Sequence, residues 1–320
     1  MAKKILITGV TGFVGIHLLE QLINAQDADL YGTYHSESSL ENINGHKEKI
    51  NLTKLDLQSE ENVNKLIEVV KPDIIYHLAA STSAAESFKS PKETVINNIA
   101  SEINLLEAIK NNNLLTTKIL IVSSAEVYGN VKKEDLPIDE DTPFNPTNPY
   151  AVSKLAQDFL GRQYFLAYNI NIIRVRPFNH IGPGQSDNFV VSSFAKKIVE
   201  IEKGKRESVL PVGNLEARRD FTDVRDMVKA YILLMEKGIL GEVYNIGLGK
   251  SFKIADILDQ LISISGIKVK IESDKSLFRP IDNPDFVCNY SKLKSITGWV
   301  PEISIEKTLV DVINYWRGKI

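Results

Sequence analysis

Three features of the sequence predict an α/β fold with a doubly wound parallel sheet. Short apolar runs alternate with longer amphipathic segments as far as residue 177. Several of these runs are apolar throughout, as in strands that are covered by helices on both faces. The first run ends in a glycine-rich turn that leads directly into a helical pattern. Strand, turn and helix in this order form the repeating unit of such a sheet.

The predicted elements follow one another regularly along the chain. Strands are predicted at 3–9, 29–34, 52–57, 73–80, 118–124 and 169–177. Helices are predicted at 13–25, 59–70, 92–112 and 149–168, where Ser59 is a capping residue and Pro149 lies in a first turn. A helix at 223–237 and a strand at 242–247 return to this pattern after an interruption.

Loops rich in Gly, Pro and Asn, such as 179–188 and 211–214, form that interruption. They predict a second, smaller C-terminal lobe that binds substrate. The predicted division of the chain is discontinuous. Residues 1–177 and 223–247 form the first domain, and residues 178–222 and 248–320 form the lobe.

The composition excludes several classes of protein. Of the 320 residues, 43% are hydrophobic and 25% charged, and the net charge of −3 gives no basic footprint for nucleic acid. The sequence contains no run of about 18 apolar residues, so no membrane span is predicted. The single cysteine, Cys288, cannot form an internal disulfide, which fits the reducing cytoplasm. No cluster of His, Cys and Asp has metal-ligand spacing, so we expect no metal.

The turn ITGVTGFVG places glycines at positions 9, 12 and 15, between a strand and a helix. Gly9 permits a tight turn, Gly12 lets the backbone approach a diphosphate, and Gly15 lets the helix pack closely on the strand. The N-terminus of the helix adds amide donors and partial positive charge. Glycine spacing alone is weak evidence, but with both flanks in place it predicts a dinucleotide-binding domain.

The segment YAVSK places Tyr150 and Lys154 four residues apart on a predicted helix, so that they share one face. An ammonium beside a phenol favours the phenolate, so we expect Lys154 to lower the pKa of Tyr150 toward neutrality. Such a tyrosine can exchange a proton with an alcohol or ketone. Ser124, at the end of the predicted fifth strand, can bond the same carbonyl oxygen.

With glycine loop, serine, tyrosine and lysine in this order, the chain resembles the extended short-chain dehydrogenase/reductases, the NAD-dependent epimerase/dehydratase family. The resemblance implies a Rossmann-like fold and NAD(P)-dependent oxidoreductase activity, with Asp56 at the adenine and Asn98 in the helix after the fourth strand. The cofactor contacts that it implies, together with the catalytic pair, are Gly9, Thr11, Gly12, Phe13, Val14, Gly15, His35, Asp56, Leu57, Leu78, Ala79, Ala80, Asn98, Tyr150, Lys154 and Pro177.

The end of the predicted second strand bears on the choice of cofactor. An acid there would hold the ribose 2′-hydroxyl of NAD. His35 and Ser36 occupy that region, and no Asp or Glu precedes Glu37. A clear arginine for a 2′-phosphate is also missing. We therefore expect NADP(H) ahead of NAD(H), which stays open.

Glu126, in SSAEVYG, has two interpretations. It occupies the place where sugar-nucleotide 4,6-dehydratases of the family carry an acid/base glutamate, although Ala125 replaces the aspartate of the dTDP-glucose type. It can equally bond substrate or backbone. We count it with Ser124, Tyr150 and Lys154 as a candidate catalytic residue.

The stretches 176–205, 212–231 and 291–309 resemble the GDP-4-dehydro-6-deoxy-D-mannose reductases of this family. The resemblance implies reduction of the substrate's 4-keto group to GDP-D-rhamnose, with Ser124 polarising the ketone. Guanidinium forks match diphosphate oxygens, which favours Arg219 and Arg279. The expected substrate-binding residues are Ser124, Glu126, Asn179, Val190, Lys197, Asn214, Arg219, Arg279 and Asp282.

Other functions stay open at this point. A GDP-mannose 4,6-dehydratase would use Glu126 as acid/base, and a nucleotide-sugar 4-epimerase would also be redox-neutral. A non-catalytic nucleotide-binding protein is disfavoured by the intact Ser124, Tyr150 and Lys154. The resemblance also implies a homodimer formed through the helices at 92–112 and 149–168.

Overall fold

The computed structural model describes residues 2–25, 28–278, 281 and 283–320. Its strands are β1 (Lys3–Thr8), β2 (Ala28–Tyr34), β3 (Asn51–Lys54), β4 (Ile74–His77), β5 (Lys118–Val122), β6 (Ile172–Pro177), β7 (Asn179–Ile181), β8 (Val209–Val212), β9 (Arg218–Asp223), β10 (Val243–Ile246), β11 (Ser251–Lys253) and β12 (Lys270–Ser273). Its helices are α1 (Phe13–Ala25), α2 (Glu60–Val70), α3 (Ala84–Lys89), α4 (Pro91–Asn111), α5 (Pro149–Tyr168), α6 (Val190–Glu202), α7 (Val224–Lys237), α8 (Ile254–Ser265), α9 (Ser291–Thr297) and α10 (Ile305–Lys319).

A seven-stranded sheet forms the centre, in the order β10-β6-β5-β4-β1-β2-β3. Neighbouring strands are parallel throughout this sheet. The chain changes direction across the sheet between β1 and β4, which are adjacent although two strands separate them in sequence. Such a switch point leaves a crevice at the carboxyl ends of the strands, where α/β proteins bind ligands.

Helices cover both faces of the sheet, as the apolar strands predict. In β1, Ile5 and Ile7 face the core formed with α1 and α7, whereas Leu6 faces the core formed with α2 and α4. Ile119 and Leu120 of β5 divide between the two cores in the same way. Each such side chain contributes about 1.5–3 kcal/mol when fully buried. The predicted doubly wound α/β fold is confirmed.

Several predicted elements are shorter in the structure. The strand predicted at 73–80 ends at His77, so Ala79 and Ala80 lie in the loop that follows it. The strand predicted at 118–124 ends at Val122, and Ser124 instead begins a short 3₁₀ turn. Ser59 precedes α2 as predicted, but its side chain makes no capping hydrogen bond.

Two smaller sheets lie beyond the central one. One has the order β11-β9-β7 and the other pairs β12 with β8. Helices α6, α8 and α10 pack around a separate apolar core that includes Phe194, Leu258 and Leu309. These elements come from the segments assigned to the smaller lobe, whose boundaries stay a prediction. No helix in the described part of the chain is long and apolar enough to cross a bilayer.

Candidate active site

The glycine loop joins β1 to the N-terminus of α1. Gly9 has a φ of +72°, and a Cβ atom there would lie 3.0 Å from the Cα of Ala79. A Cβ atom on Gly15 would lie 2.5 Å from the carbonyl oxygen of Gly9. Both positions therefore require glycine, the first for its backbone conformation and the second for close packing. The loop thus places the N-terminus of α1 next to the segment that follows β4.

Thr8, at the end of β1, ties the glycine loop to the end of β4. Its Oγ1 lies 2.9 Å from Nδ1 of His77 and accepts a hydrogen bond from the Ala79 amide at 3.3 Å. Leu78, Ala79 and Ala80 line the loop beyond β4 and are partly exposed. These predicted cofactor contacts thus lie beside Gly9, at the switch point of the sheet.

Asn98 supports the loop after β4 from the helix α4. It is fully buried on α4, where its Oδ1 accepts from the Ser81 amide at 2.7 Å and its Nδ2 donates to Ser153 at 2.9 Å. It therefore holds the loop after β4 against α5. Its predicted role in cofactor binding would act through that loop.

A cluster of hydroxyl groups follows β2. Thr11 donates to Ser39 at 2.9 Å, and the side chains of Ser36 and Ser38 lie 2.7 Å apart. Ser36 also precedes a 3₁₀ turn and so stands at a helical N-terminus. His35, beside these residues, is exposed. On the adjacent strand end, Asp56 is exposed and accepts from the Gln58 amide at 2.9 Å, and Leu57 is buried.

Ser124, Tyr150 and Lys154 meet at the carboxyl end of β5. The Ser124 hydroxyl is close enough to Tyr150 to affect the pKa of its phenol, and all three residues are at least nine-tenths buried. The Lys154 Nζ donates to the carbonyl oxygen of Val122 at 2.8 Å, at the end of the same strand. Helix α5 begins at Pro149, so Tyr150 lies in its first turn and Lys154 one turn later. The three predicted catalytic residues therefore form one cluster.

The structure contradicts the expectation that Lys154 lowers the pKa of Tyr150 toward neutrality. Burial raises the pKa of Tyr150 to about 12, with the neighbouring Ser124 hydroxyl acting against this and the charge of Glu126 adding to it. Burial also lowers the pKa of Lys154 to about 8. The ammonium of Lys154 is directed to the Val122 carbonyl, so the removal of Tyr150 from water outweighs its influence.

Glu126 is held by Asn148, the residue that caps α5. The Asn148 Nδ2 donates to Oε2 of Glu126 at 3.1 Å, while its Oδ1 accepts from the Ala151 amide at 2.8 Å. The backbone amide of Glu126 donates to the Ser124 hydroxyl at 3.1 Å. The carboxylate thus lies near Ser124 and Tyr150, two of the predicted catalytic residues. Sequence reasoning missed Asn148, although an Asn directly before Pro149 is a recognisable helix start.

The comparisons with known proteins agree with this geometry. Residues 6–312 match the family described as GDP-mannose 4,6 dehydratase. The chain is 34% identical to the GDP-6-deoxy-D-mannose reductase of Pseudomonas aeruginosa, over 100% of this chain and 99% of that protein. The chain belongs to the GDP-mannose 4,6-dehydratase family. It is therefore an extended short-chain dehydrogenase/reductase, and the predicted family is confirmed.

The chain is also similar to a plant dehydratase and to a solved bacterial structure. The chain is 29% identical to GDP-mannose 4,6 dehydratase 1 of Arabidopsis thaliana, over 95% of this chain and 87% of that protein. The solved structure described as RMD from Pseudomonas aeruginosa complexed with NADPH superposes with a TM-score of 0.85 at 33% identity. That superposition covers 99% of this chain and 100% of the other. The family fold thus extends over both the central sheet and the smaller lobe.

The predicted substrate residues of this family member lie on several elements of the smaller lobe. Asn179 begins β7 and is exposed, and Val190 begins α6 with 39% of its surface exposed. Lys197 lies one to two turns further along α6, and burial lowers its pKa. Val190 and Lys197 thus lie on the same helix, α6, which follows β7 in the chain.

The remaining predicted substrate residues lie on β9 and in nearby loops. Arg219 lies on β9, which pairs with β7, so it is close in register to Asn179. Its Nη1 donates to the carbonyl oxygen of Asn283 at 2.7 Å. The Oδ1 of Asn214 accepts from a backbone amide two residues on. Arg279 and Asp282 lie outside the described residues.

Asp220 organises the backbone around this substrate side. Its carboxylate accepts amide hydrogen bonds from Leu248 at 2.7 Å, Gly249 at 2.8 Å and Cys288 at 3.0 Å. Asn283, which accepts from Arg219 through its carbonyl oxygen, also contacts the loop that follows Glu126, since its Nδ2 donates to the carbonyl oxygen of Gly129. Sequence reasoning missed both residues. Neither has a local pattern, because their partners lie far away in sequence.

A metal site was not expected from the sequence. In the described residues, no group of three or more His, Cys, Asp and Glu side chains is placed to hold a metal ion. The groups that the structure gathers at the crevice are a hydroxyl pair, an ammonium, a carboxylate and a loop of backbone amides. Such a set can bind a diphosphate and move a proton to or from an oxygen atom.

Proposed function

We propose that the chain is a nucleotide-sugar reductase. The reaction is the NAD(P)H-dependent reduction of the 4-keto group of GDP-4-dehydro-6-deoxy-D-mannose to GDP-D-rhamnose. The observation that carries this proposal is the meeting of the buried Ser124, Tyr150 and Lys154 side chains at the carboxyl end of β5. The reductase relative, whose length this chain matches almost completely, supports the choice of substrate.

The chain's own residues perform the acid–base part of the reaction. The hydroxyl of Ser124 polarises the 4-keto oxygen, and Tyr150 donates its phenolic proton to the alkoxide that develops there. A pKa of about 12 keeps Tyr150 protonated at neutral pH, which suits a general acid in the direction of reduction. The bound nicotinamide cofactor supplies the hydride. Lys154 keeps a positive charge near Tyr150 as the reaction proceeds.

NADP(H) is the proposed cofactor, ahead of NAD(H). The serine cluster after β2 offers hydroxyl donors, which suit a phosphate group. An acid that would repel a 2′-phosphate is missing at His35 and Ser36. The nearby Glu37 is paired with Lys54 at 3.2 Å. The ratio of kcat/KM for NADPH and NADH measures the preference.

A homodimer in the cytoplasm is part of the proposal. Helices α4 and α5 expose large apolar side chains, with exposed fractions of 46% for Ile96, 48% for Val152, 46% for Phe159 and 65% for Leu166. A second copy of the chain would cover these side chains. Sedimentation should therefore give twice the mass of one chain, and Phe159→Glu should lower it. A single buried cysteine fits a reducing compartment.

A GDP-mannose 4,6-dehydratase is the second candidate. Glu126 favours it, because Asn148 holds this carboxylate next to Ser124 and Tyr150, where a general acid/base would act. The sequence identity favours the reductase, since the chain is 34% identical to the reductase relative but 29% identical to the dehydratase relative.

The decisive experiment mixes the purified protein with GDP-4-dehydro-6-deoxy-D-mannose and either NADPH or NADH. We expect stoichiometric loss of absorbance of the reduced cofactor, and no loss with Tyr150→Phe. Conversion of GDP-mannose to the keto sugar without added reductant would instead identify a dehydratase. Inversion at carbon 4 of a nucleotide sugar, with no net use of cofactor, would identify an epimerase.

A further inference from the structure

Glu102 is a carboxylic acid buried between α4 and α5. Its side chain is fully buried, and neither of its carboxyl oxygens has a hydrogen-bond partner among the described residues. Burial raises the pKa of Glu102 well above its ordinary value, while the nearby Lys154 acts in the opposite direction. An ionised carboxylate with no donor is costly in such a place, so this environment favours the protonated acid.

The amide of Gln157 indicates where the proton of Glu102 is directed. Gln157 is fully buried on α5, and its Nε2 donates to the carbonyl oxygen of Asn98 at 2.9 Å. This bond fixes the orientation of the amide, because only the nitrogen can donate. The Gln157 Oε1 is then left without a donor, and the Gln157 side chain is close enough to affect the pKa of Glu102. A protonated Glu102 supplies the missing donor.

Lys154 is the cation that faces Glu102. Each of the two residues shifts the pKa of the other, Lys154 downward for the acid and Glu102 upward for the ammonium. His77, at the end of β4, also faces Lys154, and burial keeps its imidazole neutral by lowering its pKa to about 3. The buried lysine thus has a neutral histidine and an acid among its neighbours.

The other charges near Glu102 are already paired or neutral. Asp158, one turn after Lys154 on α5, is bonded to Arg174 and Arg176 of β6 at 2.5 and 2.7 Å. Its negative charge contributes to raising the pKa of Glu102. Tyr164, further along α5, has a pKa raised by burial and donates to Glu107. Lys154 is therefore the group with which Glu102 can exchange a proton.

We propose that Glu102 is protonated in the resting protein and shares its proton with Lys154, as a positioning residue that keeps the catalytic lysine charged. The proposal rests on the proposed function, in which Lys154 acts as an ammonium. At rest, the pair is a protonated acid beside an ammonium. When the pair loses one proton to solvent, that proton comes from the O–H bond of Glu102, and Lys154 keeps its N–H bonds. The pair then holds a carboxylate beside an ammonium. A neutral amine appears only after a second proton is lost to solvent.

The variant Glu102→Gln tests this proposal. Glutamine has the shape of the protonated acid and can donate to Gln157, but it cannot become a carboxylate. Lys154 should then lose its proton at lower pH, so the alkaline limb of kcat/KM should move down by about one pH unit. The affinity for NADPH should fall over the same shifted range. The control Glu107→Gln, on the same helix but paired with Lys110 at the surface, should leave both profiles in place.

A second readout does not need turnover. The infrared spectrum of the wild type should contain the carbonyl band of a buried protonated carboxylic acid, which Glu102→Gln removes. If that variant does not fold, Gln157→Leu replaces it and should move the band to higher wavenumber, because the acceptor is lost. Glu107→Gln should leave the band unchanged.

Both results are required. Superimposed pH profiles, or a wild-type spectrum without the carboxylic acid band, would overturn the proposal. Failure of the keto-sugar assay alone would count against the proposed function. The infrared band and the pH dependence of NADPH binding would still decide the state of Glu102.

Discussion

The proposed cofactor edge and the proposed substrate side of the site are assembled in different ways. Along the cofactor edge, Gly9 and Ala79 each follow their own strand within two residues, and the candidate catalytic Ser124 does so at the end of the neighbouring strand, so the parallel sheet itself places them. On the substrate side, Asp220 joins backbone groups that lie 28 to 68 residues away along the chain. The first edge therefore depends on local strand and turn geometry, and the second on a few buried polar groups.

The largest effect is expected at the cofactor edge, from Tyr150→Phe. Removing one hydroxyl should lower kcat by about 10²–10⁴-fold, because the developing alkoxide loses its proton donor. The fold and cofactor affinity should change little, since the ring stays in its buried place. Stopped-flow absorbance of the reduced cofactor measures the loss of kcat, and circular dichroism checks that the fold is unchanged. A variant with wild-type kcat would remove Tyr150 from the mechanism.

On the substrate side, Asp220→Asn should destabilise the protein by about 2–3 kcal/mol. An amide cannot accept from all three backbone groups, so at least one buried N–H is left without a partner. KM for the nucleotide sugar should rise while affinity for NADPH stays close to wild type. Urea denaturation measures the stability. The exposed Asp259→Asn on α8 is the control, and an equal effect there would contradict the assigned role.

Asp220 also predicts a pH dependence of stability. Burial raises the pKa of Asp220 from its ordinary value of 3.8 to about 6. The folded chain therefore binds this proton more tightly than the unfolded chain between about pH 4 and 6, so the contribution of Asp220 to stability falls as pH rises through that window. Urea denaturation of wild type and Asp220→Asn at pH 4 and 7 should show the difference. A constant gap between the two proteins would contradict it.

Gly15→Ala should cost about 1–3 kcal/mol of stability and weaken cofactor binding. The new Cβ atom would lie 2.5 Å from the Gly9 carbonyl oxygen, which forces the loop or α1 to move. Gly45 is a matched control, because a Cβ atom there meets nothing within 4 Å. Thermal denaturation with and without NADPH separates the two effects. Equal behaviour of the two variants would show that the loop tolerates the added methyl group.

The smallest effect is expected for Asn283→Ala, about 0.5–1.5 kcal/mol. Its side chain links the substrate segment to Gly129, beyond Glu126, so its loss should raise KM more than it lowers kcat. The exposed Asn188→Ala serves as its control. Unchanged KM in Asn283→Ala would mean that the segment keeps its place without this bond.

Local patterns in the sequence were enough to predict the glycine loop after β1 and the clustering of Ser124, Tyr150 and Lys154 at the end of β5. The glycine spacing and the four-residue spacing of Tyr150 and Lys154 are visible without knowledge of distant contacts. The pKa of Tyr150 was predicted in the wrong direction, because it depends on burial and on where Lys154 is directed. Helical periodicity likewise did not single out Glu102, whose significance comes from a polar neighbour on another helix.

The return of the chain to the central sheet has a consequence for its synthesis. Strand β10 pairs with β6 only after the chain has passed through β7, β8 and β9 of the smaller lobe. While the ribosome is making residues 178–242, one side of β6 has no strand beside it. An unpaired edge of this kind attracts other nascent chains. Chaperone dependence and aggregation should therefore be greatest for chains that end before Val243, and should fall once β10 is complete.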